Sequence, residues 1–307
     1  MSEKTSILLL LVATFIWGFI GIVTRELSSF GLDSPQITEI RILIPALAML
    51  LILVLFRRDK LMIRLRDVWL FALFGVVRVV SDVLLFHAQV LIPLGISTVL
   101  QMTAPYYMLV FSVFLFHEKL NGFKVAALFI GFFGCVFTTG ALNGCENLDM
   151  LGIICALLSG LTFGMYCIGG KLLPERGYDS VAVLFWMFLF GTLAMTPFVD
   201  VVGIAETAMG NVEALVWILV MGIVMGAVPY YLQIRAMEGM EAGKAGIILL
   251  LEAPVAVVVG AILYEEMLEP LNILGIVMVI ASIAIMNMKW HIRRRERGRV
   301  RGPPPEL

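Results

Sequence analysis

Long apolar runs, separated by short breaks marked by charges or by Gly, Pro and Asn, dominate the chain. A bilayer core about 30 Å thick needs about 20 apolar residues in helical form, because the backbone must satisfy its own hydrogen bonds there. Ten runs meet that description, at 6–24, 36–56, 68–90, 95–116, 122–141, 150–170, 181–199, 213–234, 245–264 and 271–289. The pattern predicts an all-α, polytopic membrane protein with ten transmembrane helices. Most connections are short, so consecutive spans are expected to pack as antiparallel neighbours, with no room for a separate soluble domain. The first run leads into Thr24-Arg25-Glu26 without a small-residue cleavage pattern, so it reads as an uncleaved helix and not a signal peptide.

Composition sharpens this reading. Of 307 residues, 61% are hydrophobic and 15% charged, against about 25% charged in soluble domains. A soluble fold is excluded, because most of these side chains would face water. Cys135, Cys155 and Cys167 fall in apolar runs and Cys145 in a polar segment; no disulfide framework or metal-ligand spacing is present. The net charge of −1 becomes informative once the charges are placed along the chain. With the amino terminus inside, 19 of the 22 Lys and Arg residues fall in inside segments, and Arg25 alone falls in an outside one. Glu146, Asp149, Asp200, Glu206, Glu265, Glu266 and Glu269 all fall outside. The positive-inside rule then predicts a cell-membrane protein with both termini cytoplasmic. The basic tail from Lys289 reads as a topology anchor against anionic lipid and not as a nucleic-acid arm.

The chain also matches itself. At a shift of 146, Gly18 meets Gly164, Arg25 meets Lys171 and Gly31 meets Gly177. The same shift pairs Asp33 with Asp179, Ser34 with Ser180, Ala48 with Ala194 and Met49 with Met195, and Ala104-Pro105 meets Ala253-Pro254 at 149. Each half holds five spans, an odd number, so the second must cross the membrane upside down. The predicted division is 1–145 for the first repeat (spans one to five), 146–289 for the second, and 290–307 for a basic cytoplasmic tail. Inverted repeats of this kind favour a transporter with one site between the halves near the midplane.

Ionisable groups within spans cost at least ~2.5–3.5 kcal/mol each, and so call for a reason. Arg78 and Asp82 in the third span are four apart and share a helical face with Phe71, Gly75 and Gln89. They are either a self-neutralising pair or part of a substrate pathway. Glu252 in the ninth span has no charged neighbour at helical spacing; it is either a protonated hydrogen-bond donor or a proton- or cation-responsive group. Thr14, Trp17, Gly21 and Thr24 form one face of the first span, and Thr98, Gln101, Pro105 and Ser112 one face of the fourth. Pro105 and Pro254 are expected to loosen their helices near the middle. Tyr166 and Tyr230 join the pathway candidates from the second half. Asp33, Glu39 and Arg41 read as an interfacial ion cluster at the outer membrane edge.

No phosphate-binding loop, hydrolytic triad or metal-protease motif occurs, so an ATP-driven pump or an intramembrane enzyme is disfavoured, and no cofactor or metal is implied. The run Thr14-Phe15-Ile16-Trp17-Gly18, Arg41, Phe86-His87-Ala88, Ala104-Pro105 and His117-Glu118-Lys119-Leu120 resembles the EamA-type drug/metabolite transporters. The second half repeats the signature with Gln233-Ile234-Arg235-Ala236, Glu252-Ala253-Pro254-Val255 and Tyr264-Glu265-Glu266, so the resemblance covers about 5–289. One departure is that the family usually places the buried Glu directly before Pro, whereas Ala253 intervenes here. The resemblance implies secondary transport, often export, of small metabolites such as amino acids. Two transporter readings stay open. In one, Arg78 holds a substrate carboxylate, Asp82 orients it or meets an amine, and Glu252 senses a proton or cationic group. In the other, Asp82 and Glu252 attract cationic or amphipathic drugs. A membrane scaffold with purely structural charges is the remote third. Partners are then a small-molecule substrate, membrane lipid and a coupling proton or cation, in a monomer or homodimer.

Overall fold

A computed structural model describes residues 1–120, 122–141, 148–264 and 268–299. Cys145, Glu146, Glu265, Glu266 and the end of the tail, 300–307, lie outside the described residues. Everything described is helix or connection. Among the described residues the helical stretches labelled α1 to α10 are Glu3–Ser29, Ser34–Phe56, Leu65–Leu91, Leu94–Phe116, Gly122–Thr138, Met150–Glu175, Ser180–Phe198, Val212–Met237, Ala242–Leu263 and Pro270–Arg299, with a further short helix, Val201–Gly210, between α7 and α8. Eight are long and apolar enough to cross a membrane. The other two are α5, with 17 residues, and α10, whose apolar part is Pro270–Met286. Helix α10 runs on to Arg299, so the basic stretch after Lys289 continues the last helix.

Caps at the helix ends repeat between the halves. Before α2, Gly31 takes a positive φ of 86° and Asp33 accepts from the Gln36 amide in a capping box. Before α7, Gly177 takes 91° and Asp179 accepts from the Val181 amide. One local program thus builds both turns.

Several helices are interrupted. Helix α4 breaks at Met102-Thr103 and α9 at Leu250-Leu251, just ahead of Pro105 and Pro254. Each proline therefore sits in the first turn of a new segment, where its missing N–H costs nothing. The carbonyl of Leu250, freed by the second break, accepts from the Cys135 thiol at 3.6 Å. Helix α8 widens into π-helix over Val220–Ala227.

Consecutive helices are not the main neighbours, contrary to the expectation from short connections. The extensive contacts join the halves: α3 with α6, α2 with α7, α1 with α8, α4 with α9 and α5 with α10. They come in symmetric sets, since α3 on α6 is matched by α8 on α1, and α3 on α7 by α8 on α2. A connection of a few residues sets only where the next helix starts; the small-residue faces decide which helix it packs on. At the α5–α10 crossing, a Cβ on Gly134 would lie 2.9 Å from the Gly275 carbonyl oxygen. Outward faces carry apolar stripes at helical spacing, Leu8, Val12 and Phe15 on α1 and Leu47, Leu51 and Leu55 on α2, with Leu8 60% and Leu51 58% exposed. Such surfaces suit lipid.

Contacts also sort the helix ends into two faces. Lys244 of α9 meets Glu3 at 2.5 Å, which puts the start of α9 beside the amino terminus. The 57–67 connection meets the 176–179 connection through Arg57–Asp179 at 2.6 Å and Arg176–Asp67 at 2.8 Å. On the opposite face, Gln36 donates to the Asp200 carbonyl at 3.1 Å, and Asn272 of α10 to the Phe137 and Thr138 carbonyls ending α5.

Candidate functional site

A cavity of about 490 Å³ lies between the halves, walled by α1 to α4 from the first and by α6, α8 and α9 from the second. It runs from mid-helix residues Arg78 and Glu252 towards Arg25, Ser34 and Gln89 near the face opposite the amino terminus.

Its floor is a charged cluster set in aromatic rings. Helical spacing brings Arg78 Nη1 within 2.6 Å of Asp82 Oδ1, with both side chains almost wholly buried. The hydroxyl of Tyr230 accepts from Arg78 Nη2 and also, at 2.9 Å, from Arg41 Nη2, so one phenol oxygen joins α2, α3 and α8. The rings of Phe163, Tyr166 and Tyr230 surround the Arg78 guanidinium, with centroids 5.4 to 5.7 Å away. Cation–π attraction there partly replaces the lost hydration of the charge. Trp17 packs edge-on to Tyr230 at 5.0 Å, and its Nε1 donates to the Met225 carbonyl within the π-helical stretch at 3.1 Å. Helix α8 is widened here, where it approaches α2, and π-bulges recur at functional sites.

Glu252 opens the second segment of α9 and faces the cavity. Among the described residues it makes no hydrogen bond or ion pair, and it shares the cavity lining with Arg41, Arg78 and Asp82. Gln101 also lines the cavity and donates to Ser159 Oγ at 3.0 Å, while Ser81 donates to the Ser159 carbonyl at 3.0 Å. The remaining wall is apolar, with Ile20, Ile37, Leu85, Phe86 and Leu249.

The structure therefore brings Arg78, Asp82, Glu252, Trp17, Gln101, Gln89, Tyr230 and Pro105 around one cavity. Three sequence candidates fall elsewhere. Thr14 is fully buried, with its hydroxyl donating back to the Leu10 and Leu11 carbonyls of its own helix. Tyr166 packs beneath Arg78 behind Phe163, and Pro254 points away while Ala253 and Ala256 line the wall. Arg41 corrects the sequence reading outright. It lines the cavity, whereas Glu39 is fully buried against the Thr196 hydroxyl at 3.0 Å and Asp33 is a helix cap. These three side chains form no cluster, because residues 39 and 41 point to different sides of α2. The available signal was depth: Arg41 is the eighth residue of its helix, about 10 Å below the helix start at 1.5 Å per residue.

The two halves present equivalent faces differently. Of the α1 face, Trp17, Gly21 and Thr24 open on the cavity. In the matching α6 face, Gly160 sits against the Gln101 and Leu100 carbonyls and Cys167 accepts from Gln233 Nε2 at 3.2 Å. The amino-terminal face is closed by charge. Glu118 Oε1 accepts from Lys171 at 2.8 Å and from the Ala242 amide starting α9 at 2.8 Å, and Lys171 also donates to the Met240 carbonyl. Lys124–Glu241 at 2.7 Å and Lys244–Glu3 extend the closure.

A two-half helical bundle with eight helices long and apolar enough to cross a membrane, holding a partly charged cavity at the junction, defines a multi-pass membrane protein. The chain belongs to the EamA-like transporter family, whose profile matches it twice, at 4–140 and 150–288. It is similar to the uncharacterized transporter YoaV of Bacillus subtilis, 22% identical over 92% of this chain and 96% of that protein. An uncharacterized transporter of Clostridium kluyveri is 25% identical, covering 92% of this chain and 93% of its own length. The uncharacterized transporter YxxF of Bacillus subtilis is 28% identical, over 59% of this chain and 58% of its own. A protein of known crystal structure superposes with a TM-score of 0.76 over 94% of this chain and 98% of its own at 16% identity, a likeness of fold.

Proposed function

We propose that this transporter is a ten-span secondary carrier of the cell membrane that moves a small zwitterionic metabolite, such as an amino acid, by alternating access. The observation that carries this is the asymmetry of the two halves. Trp17, Gly21 and Thr24 of the α1 face open on a charged cavity, whereas of the α6 counterpart Phe163 alone lines it and the lower end packs behind the Glu118–Lys171 contact. Two repeats of one family in unlike arrangements are what a carrier facing one side requires.

Several features support the topology. Helix α5 starts near Lys124, which pairs with Glu241 on the amino-terminal face, and ends under Asn272 on the other. Crossing by α5 also keeps the 57–67 and 176–179 connections on one face. Helix α10 runs back along α5, with Gly134 near Gly275 and Gly131 near Ser282. The lysine and arginine distribution makes the amino-terminal face cytoplasmic, so the cavity faces outward. The two family matches, at 4–140 and 150–288, support dividing the chain into repeats at 1–145 and 146–289.

Within the cavity, Glu252 is the acidic group for an amine or a coupling proton, and the Arg78–Asp82 pair with Tyr230 is its polar floor. The apolar walls beside Glu252 also fit a second reading, a cationic amphipathic compound. Counterflow in proteoliposomes separates the two: unlabelled amino acids, organic acids or cationic drugs are loaded, and uptake of the labelled form is followed. Accelerated exchange of amino acids, abolished in Glu252→Gln, is the expected result. Exchange of cations alone favours the second reading, and flat traces from folded protein favour a scaffold.

A further inference from the structure

We infer that Arg41, and not Arg78, receives the negative end of the transported molecule, so that the cavity selects ligands bearing a carboxylate. This rests on the carrier reading above and names the anionic half of its substrate.

The two arginines differ in what remains for a ligand. Arg78 is 2% exposed, carries Asp82 at 2.6 Å, is bonded to Tyr230 and is enclosed by three rings. Its charge is met and its surface covered. Arg41 is part exposed to the cavity, and among the described residues no carboxylate lies within 4.0 Å of it. Its one hydrogen bond goes to the Tyr230 hydroxyl; its Nε, like that of Arg78, is buried without a hydrogen-bond partner, so what sets Arg41 apart is the lack of a carboxylate beside it and its exposure to the cavity. One turn earlier on α2, Thr38 lines the same cavity with its hydroxyl buried and unpartnered.

A guanidinium without an acid in low-dielectric surroundings is unfavourable, and its planar fork of donors matches a carboxylate. Glu252 lines the same cavity and, among the described residues, is equally without an ion pair. Arg41 and Glu252 thus line one cavity without an ion pair of their own among the described residues, above a floor where Arg78 and Asp82 neutralise each other. A ligand with a carboxylate at one end and an ammonium at the other satisfies both.

The test uses L-leucine and the two probes left when one end is removed: 4-methylpentanoate, without the ammonium, and isopentylamine, without the carboxylate. Each is titrated against the purified full-length protein, with thermal stabilisation as the binding readout. Wild type is expected to bind leucine at least 10-fold more tightly than isopentylamine. Arg41→Gln should lose at least 10-fold in leucine affinity and nothing for isopentylamine, with Arg41→Lys in between. Because the substitution removes an unpaired cation, ligand-free Arg41→Gln should melt no lower than wild type; a structural role would lower it. Undiminished leucine binding by Arg41→Gln, or a drop in its ligand-free melting temperature with leucine affinity kept, overturns the assignment and leaves the carrier reading standing. No binding of any probe by folded wild type overturns both.

Discussion

Glu118 and Lys171, 53 residues apart in sequence, meet at 2.8 Å with both side chains less than a tenth exposed. The same carboxylate accepts from the Ala242 amide, so a single group ties α4, α6 and the start of α9 together. Glu118→Gln should loosen that tie. The measure is Cys167, one turn before Lys171 and fully buried, as the single cysteine in a background with Cys135, Cys145 and Cys155 replaced. Its labelling by a thiol reagent from the amino-terminal side is expected to rise about 10-fold or more over the unmutated background. An unchanged rate would remove Glu118 from the closure.

Breaking the Arg78–Asp82 pair on one side leaves a buried charge uncompensated, which costs about 3–5 kcal/mol. Arg78→Gln and Asp82→Asn should each lower the melting temperature strongly. Arg78→Met combined with Asp82→Leu should recover most of the loss, because no charge remains buried. Additive losses in the double variant would show that the two groups act separately.

Acid should weaken the amino-terminal face. Burial raises the Glu241 carboxyl, but hydrogen bonds and charge from Lys124 and Lys244 more than offset it, so Glu241 titrates below the usual carboxylate value of 4.5. A lowered acid contributes stability that is complete above about pH 4.5 and lost as the pH falls through its folded-state value. The melting temperature should therefore fall through that range, and fall less steeply in Glu241→Gln. Parallel curves for the two proteins would contradict this.

Close approach of α5 and α10 depends on Gly134, where an added Cβ would come within 2.8 Å of the Val279 side chain. Gly134→Val should destabilise the protein by about 1–3 kcal/mol through overpacking. Gly122→Val, with open space around it, serves as the control in the same denaturation series.

Local features were the ones that sequence could carry. Run lengths located the long helices but not the short one at Val201–Gly210, spacing of four paired Arg78 with Asp82, and the match of Gly31 with Gly177 announced the repeat, down to the shared positive φ. Features joining distant residues were not readable. Arg41 and Tyr230 are 189 residues apart, and nothing in either span says that one phenol serves two guanidiniums. The interlocking of the halves was missed because short connections suggest neighbours, whereas glycine faces choose them. Thr14 was misplaced because periodicity gives a face but not how far down the helix the cavity reaches.

The pairing of Arg78 with Asp82 inside one helix also bears on how the protein is made. The membrane receives the first half before Tyr166 and Tyr230 have been synthesised, so the ring cage does not yet exist when α3 enters. Since its cation and acid lie one turn apart, α3 arrives with its charges already matched and needs no later helix to neutralise it. Arg41 and Glu252 have no such local counterpart, and each is inserted bare. Nascent-chain insertion should therefore be harder for α2 and α9 than for the more heavily charged α3.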